Sequence, residues 1–170
     1  MPELVLRERL QPSLLDRLID DEPERREEPR EARAISDAQL RELVRRDLAW
    51  LFNTTCLGAL QDLRAWPEAD SSVVNYGIPD LAGRTLSSIE ASNMEKLLRD
   101  AIWNFEPRLL RHTVQLKVVV DKERFGQNAL VFDIDAELWA QPLPISMCLR
   151  TEIDLENGAV VVNPRDEGTR

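Results

Sequence analysis

Three carboxylates at alternate positions, Asp133, Asp135 and Glu137, have the spacing in this sequence best suited to chemistry. Residues two apart on an extended strand project to one side, about 6.5 to 7 Å from each other. A glycoside hydrolase needs its two carboxyl groups roughly 5 to 9.5 Å apart, so glycoside hydrolysis is the enzymatic alternative. Against it, Phe132, Ile134 and Ala136 alternate with the acids and put them on the solvent face, whereas an acid catalyst needs burial to hold its proton. The lone histidine, His112 beside Arg111, has no nucleophile motif to serve and reads as a structural or interface residue. One histidine also argues against a transition-metal site, and no glycine-punctuated acidic loop suggests Ca²⁺. Cys56 and Cys148 lie far apart and outside any CxxC pattern, which implies neither a disulfide framework nor zinc. No cofactor and no metal are expected, and no catalytic residue is assigned.

Composition narrows the partners. Lys and Arg number 22 against 31 Asp and Glu, a formal charge of −9 that repels a phosphate backbone and disfavours nucleic acid. No apolar run approaches the ~20 residues that span a bilayer, and Met1 to Leu10 alternates charged and apolar residues, so neither membrane insertion nor export is expected. A cytoplasmic location suits the two free thiols.

The elements follow from periodicity. In PSLLDRLIDD, Leu14, Leu15, Leu18 and Ile19 fall at helical spacing behind the start signals Pro12 and Ser13. From Asp20 to Glu31 every residue is charged or proline, which reads as a linker, so residues 1–35 are a helix on a tether; such a helix packs on its own domain or docks a partner, and the tether favours docking. Ser36 and Gln39 make a capping box, and Leu40, Leu43, Val44, Leu48 and Leu51 mark one face of a first main helix to about Phe52. Prolines, glycines, Asn75 and Asp80 between Trp66 and Gly83 indicate an ordered loop, in which Asn75, Tyr76, Gly77, Pro79 and Asp80 are structural. A second helix starts near Ser87 or Ser88, carries Met94, Leu97, Leu98, Ala101, Ile102 and Phe105, and ends at Pro107. The period then drops to two: Val114 to Val120, Leu130 to Leu138, Ile145 to Ile153, and Ala159 to Val162 after the turn signal Asn157-Gly158. The fold class is α+β, a two-layer domain with two main helices on a small antiparallel β-meander over residues 36–163, followed by a tail at 164–170.

Two tryptophans stand where polar residues belong. Trp139 continues the polar face of the long strand, and Trp103 shares the outer side of the second helix with Ser92, Lys96 and Arg99. Both are expected contact surfaces, because tryptophan is enriched among residues that dominate binding, with a tryptophan half-covered by its own loops as the alternative. The meander also leaves two edge strands that another chain could extend.

The NYGIPDL loop, the helix end Phe105-Glu106-Pro107-Arg108-Leu109, the paired strands beyond it and the PSLLDRLIDDEP segment together resemble the TssE family of type VI secretion baseplate subunits. These are relatives of the contractile-tail wedge proteins long described as "lysozyme-like". The resemblance spans most of residues 12 to 162. It implies a structural subunit, not an enzyme, that links other baseplate wedge subunits to the contractile sheath protein and helps start sheath assembly in a baseplate facing the inner membrane. The tail tube or spike is a further partner it suggests. It also implies that Glu106, Pro107 and Arg108 grip the wedge core. The residues themselves leave a second role open, an internal brace between the helix end and the loop.

Overall fold

A computed structural model describes residues 12–19, 24, 35–83, 91–119, 129–140 and 143–166. Four α-helices and four strands are present among them: α1 (Leu14–Leu18), α2 (Asp37–Phe52), α3 (Pro67–Asp70), α4 (Ala91–Phe105), β1 (Gln115–Val119), β2 (Ala129–Leu138), β3 (Ile145–Asp154) and β4 (Val160–Pro164). The expected charged linker, all but Glu24, and the start of the second main helix lie outside the described residues.

Local chemistry sets the helix ends. Ser36 Oγ accepts from Gln39 N–H while Gln39 Oε1 accepts from Ser36 N–H, the reciprocal capping box expected for α2. At the far end the Asn53 amide donates to the carbonyls of Ala49 and Val160 and its Oδ1 accepts from Val160 N–H, so one side chain both closes α2 and positions β4. Helix α4 stops where Pro107 cannot continue it.

The strands form one antiparallel sheet in the order β1-β2-β3-β4, the expected meander. In its register Phe132 lies opposite Val118 and Thr151, and Asp133 opposite Lys117 and Arg150. Alternation sends Phe132, Ile134, Leu138, Leu149, Ile153 and Val162 to one face, where Val44, Leu48 and Leu51 of α2 and Leu98 and Ile102 of α4 cover them. The protein is therefore a two-layer α+β fold with both main helices on one side of the sheet.

The Asn157-Gly158 signal marks a longer connection than a two-residue hairpin. Five residues, Leu155 to Ala159, join β3 to β4, with Gly158 at a φ of 76° and its N–H donating to Asp154 O at 2.8 Å. The extra length lets Leu155 bury its side chain completely.

Candidate functional site

The Glu106-Pro107-Arg108 turn sits where α4 gives way to the sheet. Glu106 N–H still donates to Ile102 O, after which Leu109 bridges to Leu138 at the end of β2. Leu110 N–H donates to Glu137 O at 2.9 Å and Trp139 N–H to Arg108 O at 2.7 Å. Two expected interface residues from different parts of the chain, Arg108 and Trp139, are thus joined through the backbone. Trp139 remains 58 % exposed.

The charged side chains of the turn point inward, while Pro107 is exposed. Glu106 is only 4 % exposed and receives Arg108 Nε at 2.7 Å and Nη2 on its other oxygen. Arg108 Nη2 also donates to Asp47 of α2. Asp47 in turn accepts from Arg46 at 2.7 Å, and Arg46 pairs with Asp16 of α1 at 2.7 Å. Five charges therefore run without a break from α1 through α2 to the α4 end. Burial by itself would lower the Arg108 pKa, but Glu106 and Asp47 outweigh it and hold the guanidinium charged beyond its ordinary range. The internal brace left open by the sequence is real, though its anchor is α2 and not the loop.

The NYGIPDL loop touches this cluster through Tyr76 alone of the expected structural residues. Its ring packs edge-on against Phe105 at 5.3 Å, and its hydroxyl donates to Asp47 O at 3.4 Å. Burial, reinforced by Asp47 and Glu106, pushes the Tyr76 phenol up. The other loop residues hold the loop. Asn75 accepts from Gly58 N–H at 2.7 Å and donates to Asp70 O at 2.8 Å. Asp80 caps Ala82 N–H at 2.9 Å, and Pro79 separates Ile78 from Asp80 in the segment that buries Ile78 and Leu81. Gly77 has a φ of 122°, and a Cβ there would collide with Thr54 O, the atom that accepts the Ile78 N–H.

Helix α1 forms as expected, with Ser13 as its cap. It meets the body through Asp16, whose side chain is 9 % exposed, and leaves its apolar residues in solvent, Leu14 at 70 % and Leu18 at 73 %. Leu15 and Ile19 are exposed as well.

Trp103 differs from its sequence-based placement. It is half-buried against the core, its indole N–H donates to Arg111 O at 3.1 Å, and Arg99 lies over its ring at 5.6 Å. Arg111 returns the contact by donating to Trp103 O at 2.7 Å, so the side chain fastens the turn before β1 instead of standing free.

The carboxylates and His112 meet in a concavity of about 970 Å³ on the outer sheet face. Asp133 is less wet than alternation implies, being ion-paired with Arg150 at 2.8 Å and Arg165 at 3.6 Å. Arg165 also pairs with Asp135. Asp133 and Asp135 thus give their carboxylate oxygens to guanidiniums inside the concavity. Burial pushes the Cys148 thiol up, with Asp135 adding to the effect, which disfavours the thiolate. His112 lies exposed in a 3-10 turn ahead of β1. Among the described residues no group of three or more His, Cys, Asp or Glu side chains is placed to hold a metal ion, and no helix is long and apolar enough to cross a membrane.

Sequence reasoning missed Asp16, Arg46, Asp47 and Trp50. Arg46 lies 4.5 Å over the half-exposed Trp50 ring, and a large aromatic on the polar side of α2 was the available signal.

Helices on one face of a meander, with a charged turn at their junction, make an α+β domain whose class is given by its family. Residues 38–143, more than half of the chain, match the family model described as baseplate wedge protein gp25, and the chain belongs to that family, which is also the family of TssE. Its role is that of a structural baseplate component interacting with other baseplate components. No curated protein and no solved structure matches the chain.

Proposed function

We propose that this protein is the TssE-type wedge subunit of a type VI secretion baseplate, linking the other wedge subunits to the first ring of the contractile sheath. The observation that carries the reading is the family match combined with the Glu106-Pro107-Arg108 turn, held rigid by Asp47 beside the exposed Trp139. In this reading Pro107, Arg108 and Trp139 meet a wedge neighbour, with the buried Glu106 holding Arg108 in place, and so do Leu14, Leu15, Leu18 and Ile19. Trp103 acts through the turn before β1 that it fastens to α4. Residues 1–35 act as a docking arm, 36–163 as the wedge domain and 164–170 as a tail, all in the cytoplasm against the inner membrane.

The sheath contact uses a sheet edge, and the two edges are unlike. On β4 the Val160 N–H and C=O are taken by Asn53 and the Val162 C=O by Arg45 at 2.8 Å. On β1 the Val118 N–H is taken by Glu95 at 3.1 Å. The more heavily capped edge is the poorer template for an added strand, which favours β1. Co-expression of the chain with the wedge and sheath subunits encoded beside it, followed by affinity purification and hydrogen exchange, tests the reading. It expects co-purification and new protection over Gln115 to Val119. Recovery of the chain alone, or release of muropeptides from peptidoglycan by the pure protein, overturns it.

A further inference from the structure

Strand β1 is an outer strand of the sheet, and on such an edge alternate residues turn their N–H and C=O to the free side. The Val118 N–H is one of these, because it meets a side chain of α4. Helix α4 packs on β1 from the core side, and Glu95 Oε1 reaches from it to accept that N–H at 3.1 Å. A strand added at β1 would have to place a carbonyl where Glu95 now accepts.

The Glu95 carboxylate differs from those elsewhere in the fold. Asp16, Asp47, Glu106, Asp133 and Asp135 each pair with a guanidinium, whereas no lysine or arginine among the described residues pairs with Glu95. The cations closest to it in sequence and in the sheet are engaged elsewhere. Arg99 lies over the Trp103 ring at 5.6 Å, Lys96 faces the groove between α4 and the NYGIPDL loop, and Lys117 lies on the outer face opposite Asp133. At the β4 edge, by contrast, the caps are the neutral Asn53 and Arg45, whose charge Glu42 balances.

This difference decides what can displace Glu95. A strand that brings only backbone must push the carboxylate off its donor and leave it half-buried, without a counter-ion, beside carbonyl oxygens that repel it. A strand that also carries a lysine or arginine gives the carboxylate a cation while its own carbonyl takes the Val118 N–H. The formal charge of −9 on the chain favours the approach of such a segment.

We propose that Glu95 is a gate on the β1 edge that selects a basic strand. It closes the Val118 N–H until an extended segment bearing a lysine or arginine draws the carboxylate to its own side chain and extends the sheet. This rests on the sheath contact proposed above and adds the chemistry of the segment that makes it.

The test uses the full chain, first alone and then co-expressed with its sheath subunit. In the chain alone, exchange of the Val118 amide, followed by NMR, is expected to be slow in the parent and in Glu95→Gln, which keeps the acceptor, and about tenfold or more faster in Glu95→Ala. Equal exchange in all three overturns the gate. With the sheath, Glu95→Gln is expected to lower recovery about tenfold while melting as the parent does, because the incoming cation then meets no charge. Undiminished recovery overturns the selection of a basic strand and leaves the sheath contact standing. Glu95→Lys is expected to abolish recovery, and a Glu in place of one basic residue of the sheath segment protected together with Gln115 to Val119 is expected to restore it; failure of every such replacement overturns the pairing. If the unsubstituted chain recovers no sheath subunit, or recovers it without protection over Gln115 to Val119, the proposed sheath contact falls and takes this inference with it.

Discussion

Replacing Arg108 by Ala separates bracing from docking, because the structure fixes what each role loses. Glu106 is almost fully enclosed, and without the guanidinium its carboxylate keeps only the Arg108 N–H, at 3.1 Å. Stripping one partner from a buried ion pair costs about 3 to 5 kcal/mol. Total stabilities run to about 5 to 15 kcal/mol, so the domain stays folded at 25 °C but melts roughly 10 to 20 °C lower. Adding Glu106→Gln removes the uncompensated charge and is expected to return about 2 kcal/mol, some 6 to 10 °C of the loss. Differential scanning calorimetry of both single variants and the double variant reads this cycle, and co-purification at 25 °C reads assembly. The expected pattern is stability partly restored in the double variant with assembly still lost. An Arg108→Ala protein that melts within about 2 °C of the parent refutes the buried-pair argument, and a double variant that also regains assembly shows the turn to be a brace only.

Gly77→Ala forces a Cβ into Thr54 O at a positive φ and is expected to cost about 3 kcal/mol or more, visible as a lowered denaturation midpoint. Thr151 is completely buried with its hydroxyl unpartnered among the described residues, so Thr151→Val is expected to stabilise the protein by about 1 kcal/mol and raise the melting temperature a few degrees. For pH, burial would raise the Asp16 carboxyl, but Arg46 and Ser13 override it and hold the value below the usual carboxylate range. A group depressed in the folded state stabilises fully above its unfolded value of about 3.9 and ceases to as pH falls through the folded one. The protection factors of the amides over Leu14 to Leu18, with the intrinsic pH dependence of exchange divided out, are therefore expected to stay constant from neutral pH down to about 4 and to fall only in stronger acid; loss of docking already at pH 6 contradicts the Asp16–Arg46 anchor.

Periodicity made the scaffold legible because burial on one face leaves a direct imprint on the sequence. Leu40, Val44, Leu48 and Leu51 mark α2, and the alternation from Leu130 to Leu138 marks β2. The site was only half legible. Glu106, Pro107 and Arg108 are contiguous and could be singled out, but their partner Asp47 lies 61 residues from Arg108, beside an arginine, and looks like any solvated helix position. Trp103 misled for a related reason. Helical spacing places it on the outer side of α4, yet the chain turns back after Leu109 and brings the Arg111 carbonyl, eight residues on, to its indole, a reversal that the helical period does not encode. The edge caps are equally hidden, since Asn53 and Arg45 reach backbone groups more than 100 residues away.

Those caps and the ionic chain have one consequence in common. Polar side chains of α2 face two directions: Asn53 and Arg45 occupy the β4 edge, while Arg46 and Asp47 hold α1 and the Arg108 turn. A single helix therefore occupies backbone groups of one sheet edge and fixes the geometry of the turn proposed to meet a wedge neighbour. Edge strands left open invite aggregation, and a docking group that must be ordered on binding loses affinity to that ordering. Rigid charges around Arg108 and a covered β4 edge avoid both losses, which suits a structural subunit that must wait for its neighbours before it is assembled.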